Sequence, residues 1–148
     1  MSGPMAATVL MLIGGAFLAM QAPTNAMLVP GVGSPLNAAL VSFLVGSLAL
    51  LAVALVARAQ PNLAVVRALP WYAWLGGAYG ATLVAALTYS APRLGVGPTV
   101  TLAIAGQVAV ALLIDHFGWL GMARRPIDAL RLTGMALVVL GVVLVRRS

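Results

Sequence analysis

Apolar residues run along this chain in long blocks separated by short clusters of Gly, Pro and Arg, and the first ionisable side chain is Arg58. A helix crossing a hydrocarbon core about 30 Å thick needs roughly 20 apolar residues. Within lipid every backbone polar group must be satisfied internally, which leaves helices or a closed barrel. The blocks are rich in Ala, Leu and Gly and lack the period-two alternation of barrel strands, so they predict helices. Five spans are expected, at about 4–28, 36–57, 71–91, 98–119 and 127–146, forming a single all-α membrane domain over residues 1–148.

The punctuation refines these spans. Pro23 removes a backbone donor and clashes one turn back, which predicts a kink or an early stop in the first helix. The segment Pro30-Gly-Val-Gly-Ser-Pro35 reads as a turn, with Ser34 as N-cap and Pro35 as the first helical residue. Between Arg58 and Pro70 lies a polar stretch whose Leu63, Val65, Val66 and Leu69 suit the membrane surface. Trp71, Tyr72 and Trp74 suit an interfacial belt opening the third span. Pro92-Arg-Leu-Gly-Val-Gly-Pro98 reads as a second tight turn, with Pro98 as the first helical residue, and it echoes the arrangement around Pro23 and Pro35, either as repeated hairpin geometry or as turn chemistry. Residues 121–126 form the last connection. The fifth span has only Leu132 to Val145 free of charge, and reaches adequate length when Arg131 and Arg146 snorkel to the interfaces.

Composition agrees with a membrane protein: 63% of the 148 residues are hydrophobic and 7% charged, and the mean hydropathy is +1.11. Met11 to Ala22 has the apolar character of a signal peptide, but no basic residue precedes it, so a membrane span is expected. With no Cys, two acidic residues and one His, the chain lacks the residues for disulfides, nucleophilic catalysis or the usual metal centres. No cofactor, no metal and no enzymatic activity are expected. The net charge of +6 comes from Arg residues that flank apolar spans, which is a topology signal and excludes a nucleic-acid footprint. With five spans, Arg58, Arg67, Arg124, Arg125 and Arg131 fall on one face and Arg93, Arg146 and Arg147 on the other. So small a bias leaves two readings open: an N-terminus in the cytoplasm, or insertion in both orientations with pairing as an antiparallel homodimer.

Small residues mark close helix approach: Gly76 and Gly80 on the third span, Ser42 and Gly46 on the second, Gly134 and Gly141 on the fifth. Polar residues inside the spans are costly and tend to face a cavity or a partner. Gln21 and Asn25 lie one turn apart around Pro23, where they either hold a small polar or cationic solute or repair the proline break by helix-to-helix hydrogen bonds. Tyr79, Thr82 and Tyr89 form a stripe of hydroxyls and rings, suited to a solute or to packing. Gln107 is the deepest amide of the fourth span, lining a pathway or bonded to a neighbour. Asp115 and His116 stand near the end of that helix, where the dipole opposes a carboxylate. They form either a salt bridge to Arg124, Arg125 or Arg131, or a proton-coupling pair. Asp128 belongs to the first turn of the fifth helix, where negative charge is favoured.

The segments Gln21-Ala-Pro-Thr-Asn25, Gly33-Ser-Pro-Leu-Asn-Ala, Ser42-Phe-x-x-Gly46, Pro70-Trp-Tyr-Ala-Trp-Leu-Gly-Gly77, Ala91-Pro-Arg-Leu-Gly95, Ala105-Gly-Gln107 and Asp115-His-Phe-Gly118 together resemble the YdcZ-like, EamA-related branch of the drug/metabolite transporter superfamily, from about Gly14 to Val145. The resemblance implies a five-helix protein of the bacterial inner membrane, equivalent to half of a ten-helix transporter and completed by dimerisation, and it names no substrate. Four-helix multidrug relatives use a first-helix glutamate; this chain has Gln21 nearby and no such acid. The leading expectation is a secondary carrier of a small polar or cationic solute, working by alternating access in a homodimer, antiparallel or parallel, whose cavity is lined by Gln21, Asn25, Gln107, Tyr79, Thr82 and Tyr89. The alternatives are a passive channel or flippase-type subunit and a non-transporting membrane partner protein. The expected partners are the lipid bilayer, a second copy and a small molecule, and no nucleic acid is expected.

Overall fold

The apolar blocks fold as helices whose ends are set by capping side chains and by glycine. A computed structural model describes residues 3–147, and no strand occurs among them. The helices are α1 (Gly3–Val32), α2 (Pro35–Val56), α3 (Leu63–Ala68), α4 (Gly76–Leu94), α5 (Val96–Phe117) and α6 (Ala129–Arg147), with single 3-10 turns at Trp71–Leu75 and Trp119–Gly121. Four of them, α1, α2, α5 and α6, are long and apolar enough to cross a membrane. The backbone divides into two compact units, up to Tyr89 and from Ser90 onward, so the boundary falls inside α4.

The expected early stop at Pro23 does not occur. Helix α1 continues through both Pro23 and Pro30 to Val32, because each proline removes only one donor and lipid-embedded helices tolerate the loss when nearby groups re-satisfy the backbone. Beside Pro23 the Thr24 hydroxyl lies 3.0 Å from the carbonyls of both Met20 and Gln21 and so ties this turn to the one before it. At 30 residues α1 is about 45 Å long, well beyond the hydrocarbon thickness. The turn expected from Pro30 therefore shrinks to Gly33 and Ser34. Ser34 caps α2, its hydroxyl accepting the Asn37 N–H at 3.1 Å, with Pro35 as the first helical residue.

The second proline turn is shorter still. Pro92 to Leu94 remain helical, and Gly95 alone, at φ +86°, separates α4 from α5. Helix α5 then begins at Val96, so Pro98 sits two positions deeper than the expected first position. Pro is tolerated throughout the first turn because those N–H groups have no helical acceptor.

The third and fifth spans exchange rank relative to expectation. The fifth, α6, meets the requirement for crossing, while α4 does not. Gly, Tyr, Thr and Ser dilute the hydropathy of α4, whereas α6 confines its arginines to its two ends. The polar stretch before α4 contains the short helix α3, capped by Asn62. Trp71 and Trp74 are exposed in the 3-10 turn that leads into α4, as interfacial aromatics should be.

Candidate functional site

In the N-terminal unit the two-residue turn makes α1 and α2 an antiparallel hairpin, and the two helices are in contact. Small side chains set the approach: Ala22, Ala38 and Ala39 are buried. Gln21 Nε2 donates to Ser42 Oγ at 3.1 Å, a hydrogen bond across this seam. One turn further along α1 and one turn back along α2, the same register brings Asn25 opposite Ala38. Asn25 is 5% exposed, and its amide nitrogen Nδ2 has no hydrogen-bond partner. A buried donor without an acceptor carries its full desolvation penalty, about 1–3 kcal/mol, and orphans of this kind are rare.

Beside this seam, α2 and α4 flank a half-open groove of about 640 Å³, with Leu40 and Phe43 on one wall and Ala81, Thr82 and Ala85 on the other. A Cβ placed on Gly80 would stand 3.3 Å from the Phe43 ring, so the glycine lets the ring lie against the α4 backbone. Gly76, Gly46, Gly134 and Gly141 meet no neighbour in this way. Of the hydroxyl stripe, Thr82 lines the groove and donates to the Ala78 carbonyl at 2.9 Å, while Tyr79 and Tyr89 are exposed on α4. Gln21 and Asn25 lie in the α1–α2 seam and do not line this groove.

In the C-terminal unit Gln107 is exposed in the middle of α5. Thr99, near the start of the same helix, is buried with its hydroxyl unpartnered. The polar groups collect at the other end of α5. Gly118, at φ +68°, closes the helix in the left-handed conformation that glycine adopts without penalty. A side chain there would meet the Met122 carbonyl at 3.3 Å and Arg124 Cβ at 3.4 Å. Asp115 pairs with Arg131 at 3.3 Å. Arg124 Nε donates to the His116 carbonyl at 3.1 Å, and the Arg125 N–H donates to the Asp115 carbonyl at 2.7 Å. These bonds satisfy carbonyls that the helix end leaves without partners, and they place positive charge at the negative pole of the dipole.

His116 Nδ1 accepts the Ile127 N–H at 3.0 Å, which assigns the proton of the neutral ring to Nε2. Asp128, expected in the first turn of the last helix, instead precedes it as a cap: its carboxylate accepts the Arg131 N–H at 2.8 Å and its carbonyl the Leu132 N–H at 3.0 Å. Among the described residues no group of three His, Cys, Asp or Glu comes together to hold a metal.

Sequence patterns pointed to amides and tyrosines and passed over Phe43, Asn37 and Thr99. The pairing of Phe43 with Gly80 has no local signal, since the two residues lie on different helices. Residues 6–144 match the model of a family described as "putative inner membrane exporter, YdcZ". The chain belongs to the YdcZ family. No curated protein and no solved structure matches this chain. Family and apolar helices together make this a multi-pass protein of the inner membrane.

Proposed function

We propose that this chain is one subunit of a secondary exporter that moves a small solute across the inner membrane by alternating access in a homodimer, without enzymatic activity. The observation that carries the reading is Gln107. An amide exposed at the middle of an apolar helix is costly against lipid and calls for a polar partner, either solute or a second copy. Most large apolar side chains of α1, α2, α5 and α6 are likewise uncovered within the chain, as expected of a half-transporter that gains its cavity by pairing. Five membrane crossings, with α4 as the least apolar, are part of this proposal, as is the EamA-like relationship between two copies. The small arginine bias between the two faces supports an antiparallel pair. Asn25, Gln21 and Gln107, with Tyr79, Thr82 and Tyr89, are assigned to the solute pathway.

Asp115 is held by Arg131 and His116 by the Ile127 N–H, which favours a structural role over proton coupling. Reconstitution in vesicles tests the reading. Accumulation of solute driven by a pH gradient supports a carrier, downhill flux alone identifies a channel or flippase-type subunit, and absence of flux over a broad panel identifies a non-transporting partner protein. Orientation is tested by inserting two arginines between Gly33 and Ser34, which should remove one of two orientations reported by terminal tags. A single orientation in the parent chain removes the antiparallel pair.

A further inference from the structure

The α2–α4 groove narrows the class of solute, an inference that rests on the transport reading. Its volume of about 640 Å³ lies within the 300–1,000 Å³ range of small-molecule sites. Its walls carry no ionisable side chain, and up to Tyr89 the chain contains no acidic residue and no His or Lys. A cation entering the groove would leave water without a counter-ion in this unit. An anion would find only Arg58 and Arg67, which lie on or near the polar connection outside α2 and α4. Either charge would be unpaired in a low-dielectric setting, which is strongly unfavourable.

The two polar groups on the walls are selective in a second way. The Thr82 hydroxyl has committed its proton to the Ala78 carbonyl, so only its lone pairs face a ligand. Asn37 has committed one of its two amide N–H groups to the Val32 carbonyl at 2.7 Å, which leaves its carbonyl oxygen as an acceptor and the second N–H as a donor. Beside Phe43 the wall at Thr82 therefore offers only an acceptor to a ligand N–H or O–H, while Asn37 offers an acceptor and one N–H. The Phe43 ring, laid against Gly80, provides an aromatic surface for a planar solute.

We infer that the α2–α4 groove binds a neutral, planar aromatic molecule carrying one hydrogen-bond donor. Its acceptor is Thr82 Oγ, with Asn37 at the rim. This class differs from the polar or cationic solute expected from the amides alone, because those amides belong to the α1–α2 seam and to α5.

The test uses the full chain in lipid nanodiscs and the fluorescent probe N-phenyl-1-naphthylamine, which is neutral and carries one N–H. Energy transfer from tryptophan, corrected with empty nanodiscs, should saturate. The anionic analogue 8-anilinonaphthalene-1-sulfonate should bind at least roughly tenfold more weakly, and tetraphenylphosphonium should not compete. Ala81→Leu and Ala85→Phe should each abolish saturation while leaving the melting temperature near that of the parent. Thr82→Val should weaken the naphthylamine about fivefold and leave 1-phenylnaphthalene, which lacks the N–H, unchanged.

Equal binding of the charged probes overturns the inference. So does naphthylamine binding that survives both filling variants, or that ignores Thr82 as an acyl-chain slot would. Should Ala85→Phe fail to fold, Thr82→Val still decides, since it conserves shape. Saturable binding without any flux would sink the exporter reading and leave the groove assignment intact; flux of the probe unaffected by the groove variants would do the reverse.

Discussion

The α1–α2 hairpin and the α5–α6 corner both join two antiparallel helices, by opposite means. The hairpin uses a two-residue turn, small side chains and one amide-to-hydroxyl bond, with no charge anywhere along it. The corner uses the residues 118–128, two left-handed glycines and a set of arginine, aspartate and histidine contacts. The difference follows from depth. In the middle of a span a polar group must find its partner within the protein, so few are used. At the end of a span helix carbonyls need donors and water is near, so charged groups are tolerated and useful. A seam with few polar groups makes each of them conspicuous, and the orphaned Asn25 is the clearest case.

The contrast is broken most severely at Gly118. Gly118→Val forces a β-branched side chain into a left-handed conformation and against the Met122 carbonyl, and should cost at least about 2 kcal/mol. Reversible unfolding in mixed micelles measures the loss, which should be far greater than for Gly134→Val, where the glycine meets no neighbour. Next is Asn25. Asn25→Ala removes a donor that has no acceptor, so the hairpin should hold its stability or gain about 1 kcal/mol, while flux falls. A loss of stability equal to that of an ordinary buried truncation would show that Asn25 serves packing.

Smaller effects sharpen the same comparison. Gln21→Leu removes the seam bond to Ser42 and should cost about 0.6 kcal/mol, the average for hydrogen bonds between membrane helices; Ser42→Ala combined with it should add little. Arg131→Gln removes a pair in which Asp115 is 38% exposed, so its effect should lie within about 0–1 kcal/mol and shrink further at high salt. A transport defect in Arg131→Gln that exceeds its stability loss would return Asp115 to a coupling role.

Much of the fold is legible locally. The Ser34–Pro35 start of α2 follows from two adjacent residues, and the need of Asp115 for a cation follows from its place near a helix end. Pro23 and Pro92 were less readable, because the rule that stops helices at proline belongs to water, where a broken helix is easily solvated; in lipid the continuing helix leaves fewer groups unsatisfied. The candidate site was legible as residue types and not as an assembly. Gln21 and Asn25 share a face of α1 by spacing, but whether each has a partner depends on the register against α2. The groove depends on Phe43 meeting Gly80, a contact between helices that no periodicity in either one encodes.

Pro23 and Pro30 stand seven residues apart on α1, and seven residues return an α-helix to nearly the same azimuth. The carbonyls they leave without an N–H, those of Ala19 and Ala26, thus open toward one side, two turns apart. Deflections at two such points accumulate in a common direction, so α1 can bow as an arc and sweep its ends together, where prolines on opposite sides would have produced a zigzag of unchanged heading.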